Sequence, residues 1–154
     1  MISCLRHYQV LLQVNIAVFS NINLKEHLLV YQLKMTAFSA NPEQTSVFIL
    51  AAGRGKRMRP LSDSTPKPLL RAGGKSLIEY HLEGLAMQGF RHVVINVAHL
   101  GQLIIDAIGN GESYGLDIHF SFERAGALET LGGIRHAVNK IRSEHFLLLN
   151  ADVW

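Results

Sequence analysis

Hydrophobic positions along the chain fall into short continuous runs separated by stretches of helical spacing. Val47-Phe48-Ile49-Leu50, Val93-Val94-Ile95-Asn96-Val97 and Phe146-Leu147-Leu148-Leu149 are brief and almost wholly apolar. That is the pattern of strands covered on both faces. Leu116, Ile118, Phe120 and Phe122 instead alternate with Asp117, His119 and Ser121, the period of a strand with one buried face. His119 therefore reads as a solvent-facing strand residue and not as a ligand.

Between these runs the period changes to that of helices. Ser76-Leu77-Ile78-Glu79 is a capping box, and Leu77, Ile78, Leu82, Leu85 and Ala86 follow with a stop at Gly89. Glu79 and Glu83 thus read as cap and helix surface, not as a catalytic carboxylate pair. Leu100, Leu103, Ile104, Ala107 and Ile108 predict a second helix ending at Gly109, and residues 110–115 turn through Gly111 and Gly115. Thr130 is placed to cap a third, whose buried face is Ile134, Ala137, Val138 and Ile141. The βαβαβαβ alternation predicts an α/β domain, a mostly parallel sheet covered by helices on both faces. Ligands of such sheets gather beyond the carboxyl ends of the strands. The loop after the first strand and Asp152 after the fourth should therefore share one rim.

No regular pattern holds between Leu50 and about Ser76. The stretch carries Gly53, Gly55, Lys56, Arg57, Arg59 and Lys67 directly after a buried strand. Long structureless loops in compact domains are usually functional or disordered. Glycines let backbone N–H groups approach phosphate oxygens, and Arg and Lys supply the counter-charge. The plainer reading is a solvated basic linker, which would have no need of Leu50-Ala51-Ala52-Gly53 fused to a core strand. Two phosphate motifs fail. Gly53-Arg54-Gly55-Lys56-Arg57-Met58 has Met58 where a dinucleotide fingerprint needs its third glycine, and no acidic residue ends the second strand. Gly73-Gly74-Lys75-Ser76 imitates a P-loop, but Leu69 stands where its first glycine belongs.

The chain has 154 residues, enough for one domain with a real core, and 48% are hydrophobic. A net charge of +3 is too small to argue for nucleic acid. Cys4 is the only cysteine, which excludes an internal disulfide and suits a reducing cytoplasm. The eight histidines form no HExxH motif and no close Cys/His cluster, arguing against zinc. Val10–Phe19 is apolar but broken by Gln13 and Asn15, too short to span a membrane, and no clear signal-peptide cleavage site follows. Residues 1–45 are expected to be an extension outside the domain, with 1–34 a start-site extension ahead of Met35; an ordinary frayed terminus has the same consequence. Residues 46–154 are the domain.

Leu50-Ala51-Ala52-Gly53-Arg54-Gly55-Lys56-Arg57-Met58 followed by Thr65-Pro66-Lys67-Pro68-Leu69-Leu70 resembles the LAAGxGxRM…TPKPLL signature of the sugar-1-phosphate nucleotidyltransferases. The similarity continues through residues 78–82, 95–101, 128–134 and 149–154. It is nearest to the branch of N-acetylmuramate α-1-phosphate uridylyltransferases, with mannose-1-phosphate guanylyltransferase-like proteins next. The resemblance implies a Rossmann-like three-layer sandwich that receives a nucleoside triphosphate and a sugar-1-phosphate with Mg²⁺. Such an enzyme serves nucleotide-sugar biosynthesis or cell-wall (peptidoglycan) sugar recycling, with no nucleic acid or membrane partner. It assigns Leu50, Ala52 and Gly53 to base and ribose, and Gly55 and Arg57 to the leaving phosphates. Lys67 is assigned to the reacting phosphates, Glu123 and Gly132 to base recognition, and Asp152 to the metal. One carboxylate with phosphate oxygens is a common way to hold Mg²⁺. Taken alone, Asp152 could be a polar strand end, Glu123 a surface charge, and Asn96 and His99 caps for the next helix. Lys56, Arg54 and Arg59 read as solvated loop residues.

The family pattern runs on past Asp152 with a sugar pocket and a second aspartate, so the chain is expected to be a truncated nucleotide half with negligible transferase activity. UTP suits the nearest branch, with GTP or dTTP as alternatives. The competing function is a nucleotide-binding or regulatory module without catalysis. Arg57, Lys67 and Asp152 together favour the enzyme.

Overall fold

The computed structural model describes residues 9–12, 41–123, 128 and 130–152. Its strands are β1 (Gln9–Leu12), β2 (Ser46–Leu50), β3 (Arg71–Ala72), β4 (Lys75–Ser76), β5 (His92–Val97), β6 (Asp117–Phe122) and β7 (His145–Asn150). Five form one sheet in the order β1-β7-β2-β5-β6, with every neighbouring pair parallel. β3 and β4 form a small antiparallel hairpin. The helices are α1 (Leu61–Ser64), α2 (Leu77–Met87), α3 (Gly101–Ile108) and α4 (Thr130–Ala137).

Residue parity divides the core. Odd-numbered Val47, Ile49, Val93, Ile95, Leu147 and Leu149 face α2 and α3, packing on Ile78, Leu82, Leu85, Ile104 and Ile108. Even-numbered Phe48, Val94, Phe146 and Leu148 face the other way, onto Ala137 of α4 and Ile141. Each fully buried side chain of this kind contributes about 1.5–3 kcal/mol. With helices on both faces, the central strands have no solvent side to spend on polar residues. This is the three-layer α/β arrangement expected. Phe48 and Phe146 meet edge to face, with centroids 6.4 Å apart.

The capping box of α2 forms: the Ser76 backbone N–H and hydroxyl both donate to Glu79 Oε2, each at 2.6 Å. These bonds hold the Glu79 carboxyl below its ordinary range.

Four details depart from the periodicity. Residues 51–75 are not structureless: 3-10 turns at Lys56–Met58 and Lys67–Leu69, α1 and the β3–β4 hairpin fill them. Pieces of two to four residues are too short to leave a period in a sequence. In β6 the alternation breaks at its end, where Ser121 is buried and Phe122 exposed. Ser121 lies opposite the buried Asn96, while the Phe122 ring runs beside Gly101, where a Cβ would come within 3.2 Å of it. After α4 the chain tightens into a 3-10 turn, Val138–Lys140, and Ile141 reaches the core from extended backbone. Finally, Gln9–Leu12, inside the stretch expected to lie outside the domain, pairs with β7 at the sheet's edge. No helix among the described residues is long and apolar enough to cross a membrane.

Candidate nucleotide site

Because the strands are parallel, β2, β5, β6 and β7 all release their chains at one rim. A cavity of about 380 Å³ opens there, between the loop after β2, the end of β7 and the start of α4. Leu50, Ala52, Gly53, Gly55, Arg57, Lys67 and Asp152 line it together, joined by Asn96 and Asn150. Glu123 and Gly132 are not among its lining residues.

The loop is held by its own backbone chemistry. A Cβ on Gly53 would meet nothing within 4 Å, so backbone is open at that point. Gly55 is different. Its φ of +61° lies in the left-handed region, and a Cβ there would stand 3.2 Å from Ser62 Cβ and 3.4 Å from Lys67 Cβ. Its carbonyl accepts from the buried Ser62 hydroxyl at 2.9 Å and from the Met58 N–H at 2.8 Å. The turn that presents Lys56 and Arg57 is thereby fastened to α1, and the stem of Lys67 passes close by.

Lys67 sits between two prolines at the head of its 3-10 turn and pairs with Asp152. The two are 85 residues apart in sequence, and only the parallel topology brings them to one point. Their side chains are 24% and 37% exposed, the most enclosed of the acid–base pairs that involve no histidine. Arg59 pairs with Asp63 on the surface at 3.1 Å, as a solvated loop cation would. Arg54 and Lys56 are exposed. Arg57 is also exposed but lines the cavity, and makes no ion pair among the described residues.

The donor set at the rim fits Mg²⁺. Asp152 offers a carboxylate and Asn150 an amide, all-oxygen ligation open to a cavity that phosphate oxygens and water can complete. The Lys67 ammonium now neutralises Asp152, so a divalent cation would share or take over that role.

Asn96, expected from its place at the exit of β5 to cap the next helix, does something else. The residue preceding α3 is Leu100, at φ 55°, and His99 is exposed. The Asn96 side chain, 2% exposed, accepts the Ala51 N–H at 2.7 Å and donates to Glu123 Oε1 at 2.8 Å. Glu123 Oε2 accepts the Leu128 N–H at 2.6 Å. One buried network thus ties the loop after β2 to the segment entering α4, the two walls of the cavity. Glu123 is not a surface charge. A Cβ on Gly133 would lie 2.7 Å from Glu123 Oε1 and 2.8 Å from Asn96 Nδ2, so the helix closes on the network only because that residue is glycine. Gly132 approaches Leu128 instead, with a Cβ there at 3.0 Å from Leu128 Cβ. An asparagine inside an otherwise apolar run was the available signal, since a buried amide requires partners.

This is an α/β domain with a cavity at the carboxyl ends of its parallel strands. Residues 46–154 match the family described as nucleotidyl transferase, and the chain belongs to that family. Over 105 residues it is 55% identical to the N-acetylmuramate alpha-1-phosphate uridylyltransferase of Neisseria meningitidis, covering 68% of this chain and 46% of that protein. It is 32% identical over 110 residues to the mannose-1-phosphate guanylyltransferase of Mycobacterium tuberculosis, covering 71% and 30%. Among solved structures, HddC from Yersinia pseudotuberculosis complexed with GMP-PN superposes with a TM-score of 0.61 at 28% identity, covering 70% of this chain and 48% of that one. The chain therefore spans less than half the length of these relatives.

Proposed function

We propose that residues 46–154 are the nucleotide-binding part of a sugar-1-phosphate nucleotidyltransferase that uses UTP. In the reaction, a phosphate oxygen of the sugar-1-phosphate attacks the α-phosphorus of the triphosphate. The bond from that phosphorus to the α–β bridging oxygen breaks, and pyrophosphate leaves with the electron pair. Such chemistry asks a protein for alignment and for positive charge where negative charge accumulates.

Backbone at Leu50, Ala52 and Gly53 receives base and ribose. Gly55 and Arg57 hold the leaving phosphates, Arg57 through its planar fork. Lys67 contacts the reacting phosphates, and Asp152 with Asn150 would hold Mg²⁺, which would supply positive charge against the phosphates. Glu123 acts on the base through the walls it braces. The observation that carries this reading is the Lys67–Asp152 pair at the mouth of a cavity edged by glycine backbone. A module for binding alone needs no such pair. The preference for UTP rests on the similarity to the Neisseria uridylyltransferase.

Calorimetry with UTP, GTP, dTTP and ATP in the presence of Mg²⁺ tests the proposal. UTP should bind most tightly to the chain, and Asp152→Ala and Lys67→Met should each weaken it about tenfold or more. Absence of binding by all four nucleotides refutes the site. Binding that both substitutions leave intact refutes the catalytic assignment and favours a binding module. Because the chain covers under half of its relatives, binding and not turnover is the readout proposed for residues 1–154.

A further inference from the structure

At the opposite pole of the sheet, His92 opens β5 and Asp117 opens β6, directly across from each other in register. His119 lies two residues along β6 and so shares their face. One ligand atom from each of the three lies within 4.8 Å of the others. This group is at the amino ends of the strands and takes no part in the nucleotide cavity.

With both imidazoles neutral, the hydrogen bonds of this group conflict. His92 is 7% exposed, and its Nε2 is 2.8 Å from the Lys140 carbonyl oxygen, which only accepts. Nε2 therefore carries the hydrogen, and in a neutral imidazole Nδ1 is a bare lone pair. That lone pair points at Asp117 Oδ2, 3.4 Å away, another acceptor. His119 Nε2 is pulled two ways. It stands 2.9 Å from Asp117 Oδ1, which accepts, and 3.1 Å from Arg142 Nη2, which donates. One nitrogen of a neutral ring cannot satisfy both. Two imidazole nitrogens and a carboxylate thus converge beside Arg142, whose Nη1 lies 2.7 Å from Asp117 Oδ2 and whose side chain is 61% exposed.

We propose that His92 Nδ1, His119 Nε2 and the Asp117 carboxylate form a binding site for a divalent cation of the zinc type. The Arg142 side chain moves out to solvent when the metal enters. Two nitrogens and one carboxylate oxygen are zinc ligands, and the imidazoles select against Mg²⁺, which favours all-oxygen sites. The Lys140 carbonyl is the outer partner that fixes the tautomer of His92, as such acceptors do for metal-bound histidines. The absence of a close His/Cys motif in the sequence hid the site, because strand register and not chain spacing assembles it. His119, expected to be a solvent-facing strand residue, belongs to this group. A bound cation would clamp β5 to β6, one of the two edge strands of the sheet.

The test is calorimetric titration of the chelator-treated full chain with Zn²⁺, with millimolar Mg²⁺ present throughout. One equivalent should bind, and His119→Ala should weaken it about tenfold or more. Arg142→Ala, which removes the competing cation, should tighten it by a similar factor. Co²⁺ bound in place of Zn²⁺ should give a visible absorption band that His119→Ala removes. Zinc affinity unchanged in both variants, or weakened by Arg142→Ala, overturns the proposal, including in a protein that binds UTP normally.

Discussion

Replacing Asn96 with leucine would keep the branched outline of the side chain and remove both of its hydrogen bonds. The Ala51 N–H loses its acceptor at 2.7 Å, and the buried Glu123 carboxylate loses a donor at 2.8 Å. A buried unsatisfied donor costs about 1–3 kcal/mol, and a hydrogen bond to a charged group is worth about 1.5–3 kcal/mol. The extra apolar surface returns about 1 kcal/mol, leaving a loss of roughly 1.5–5 kcal/mol. Domains of this size have about 5–15 kcal/mol in all, so Asn96→Leu should lower Tm by about 10 °C. Urea unfolding followed by circular dichroism measures it, with an unchanged m-value showing that the denatured state is not responsible. Glu123→Leu should also destabilise, and the double variant should lose less than the two losses added together, by about 1–2 kcal/mol. A loss under about 0.5 kcal/mol for Asn96→Leu, or full additivity, would refute the network as the brace between the cavity walls.

Two glycines make a matched contrast. Gly133→Ala should cost about 1–3 kcal/mol and weaken nucleotide binding, because its Cβ collides with the Glu123 and Asn96 side chains. Gly84→Ala, inside α2 with nothing within 4 Å of a Cβ, should stabilise by about 0.5–1 kcal/mol; chemical denaturation of each variant reads both signs. Glu79 has a depressed pKa in the folded chain, from the Ser76 hydroxyl first and its backbone N–H second. Its contribution is therefore complete above the ordinary glutamate value of about 4.3 and lost as pH falls through the folded value. The stability gap between the wild type and Glu79→Gln should be constant at neutral pH and close below about pH 4; a gap that widens there contradicts the cap.

How much of this was legible depended on whether a feature is local in the chain. β2, β5 and β7 could be read because burial on both faces leaves an apolar run with no competing pattern. α2 could be read because its cap and its period agree. The rim position of Asp152 followed from the parallel order alone. The partnership of Asn96 and Glu123 could not be read, since each is individually an ordinary strand-end polar residue and 27 positions separate them. The His92–Asp117–His119 group was hidden for the same reason. β1 escaped because four residues beside Gln13 and Asn15 are too few to announce a strand.

The order of strands also dictates how the chain must assemble. Each pairing joins residues well apart in sequence: 25 positions for β5 with β6, 46 for β2 with β5, 100 for β2 with β7, and 136 for β1 with β7. Closing the longest of these loops costs about 1.5 kcal/mol more entropy than closing the shortest. Loop entropy alone therefore favours pairing β5 with β6 first and adding β2 next. β7, made last of these strands, then seals the open side of β2 before β1 can dock. Until residue 150 has been synthesised, the most apolar strand of the domain carries an unpaired edge. That interval, and not the finished fold, is when the nascent chain most needs shielding from its neighbours.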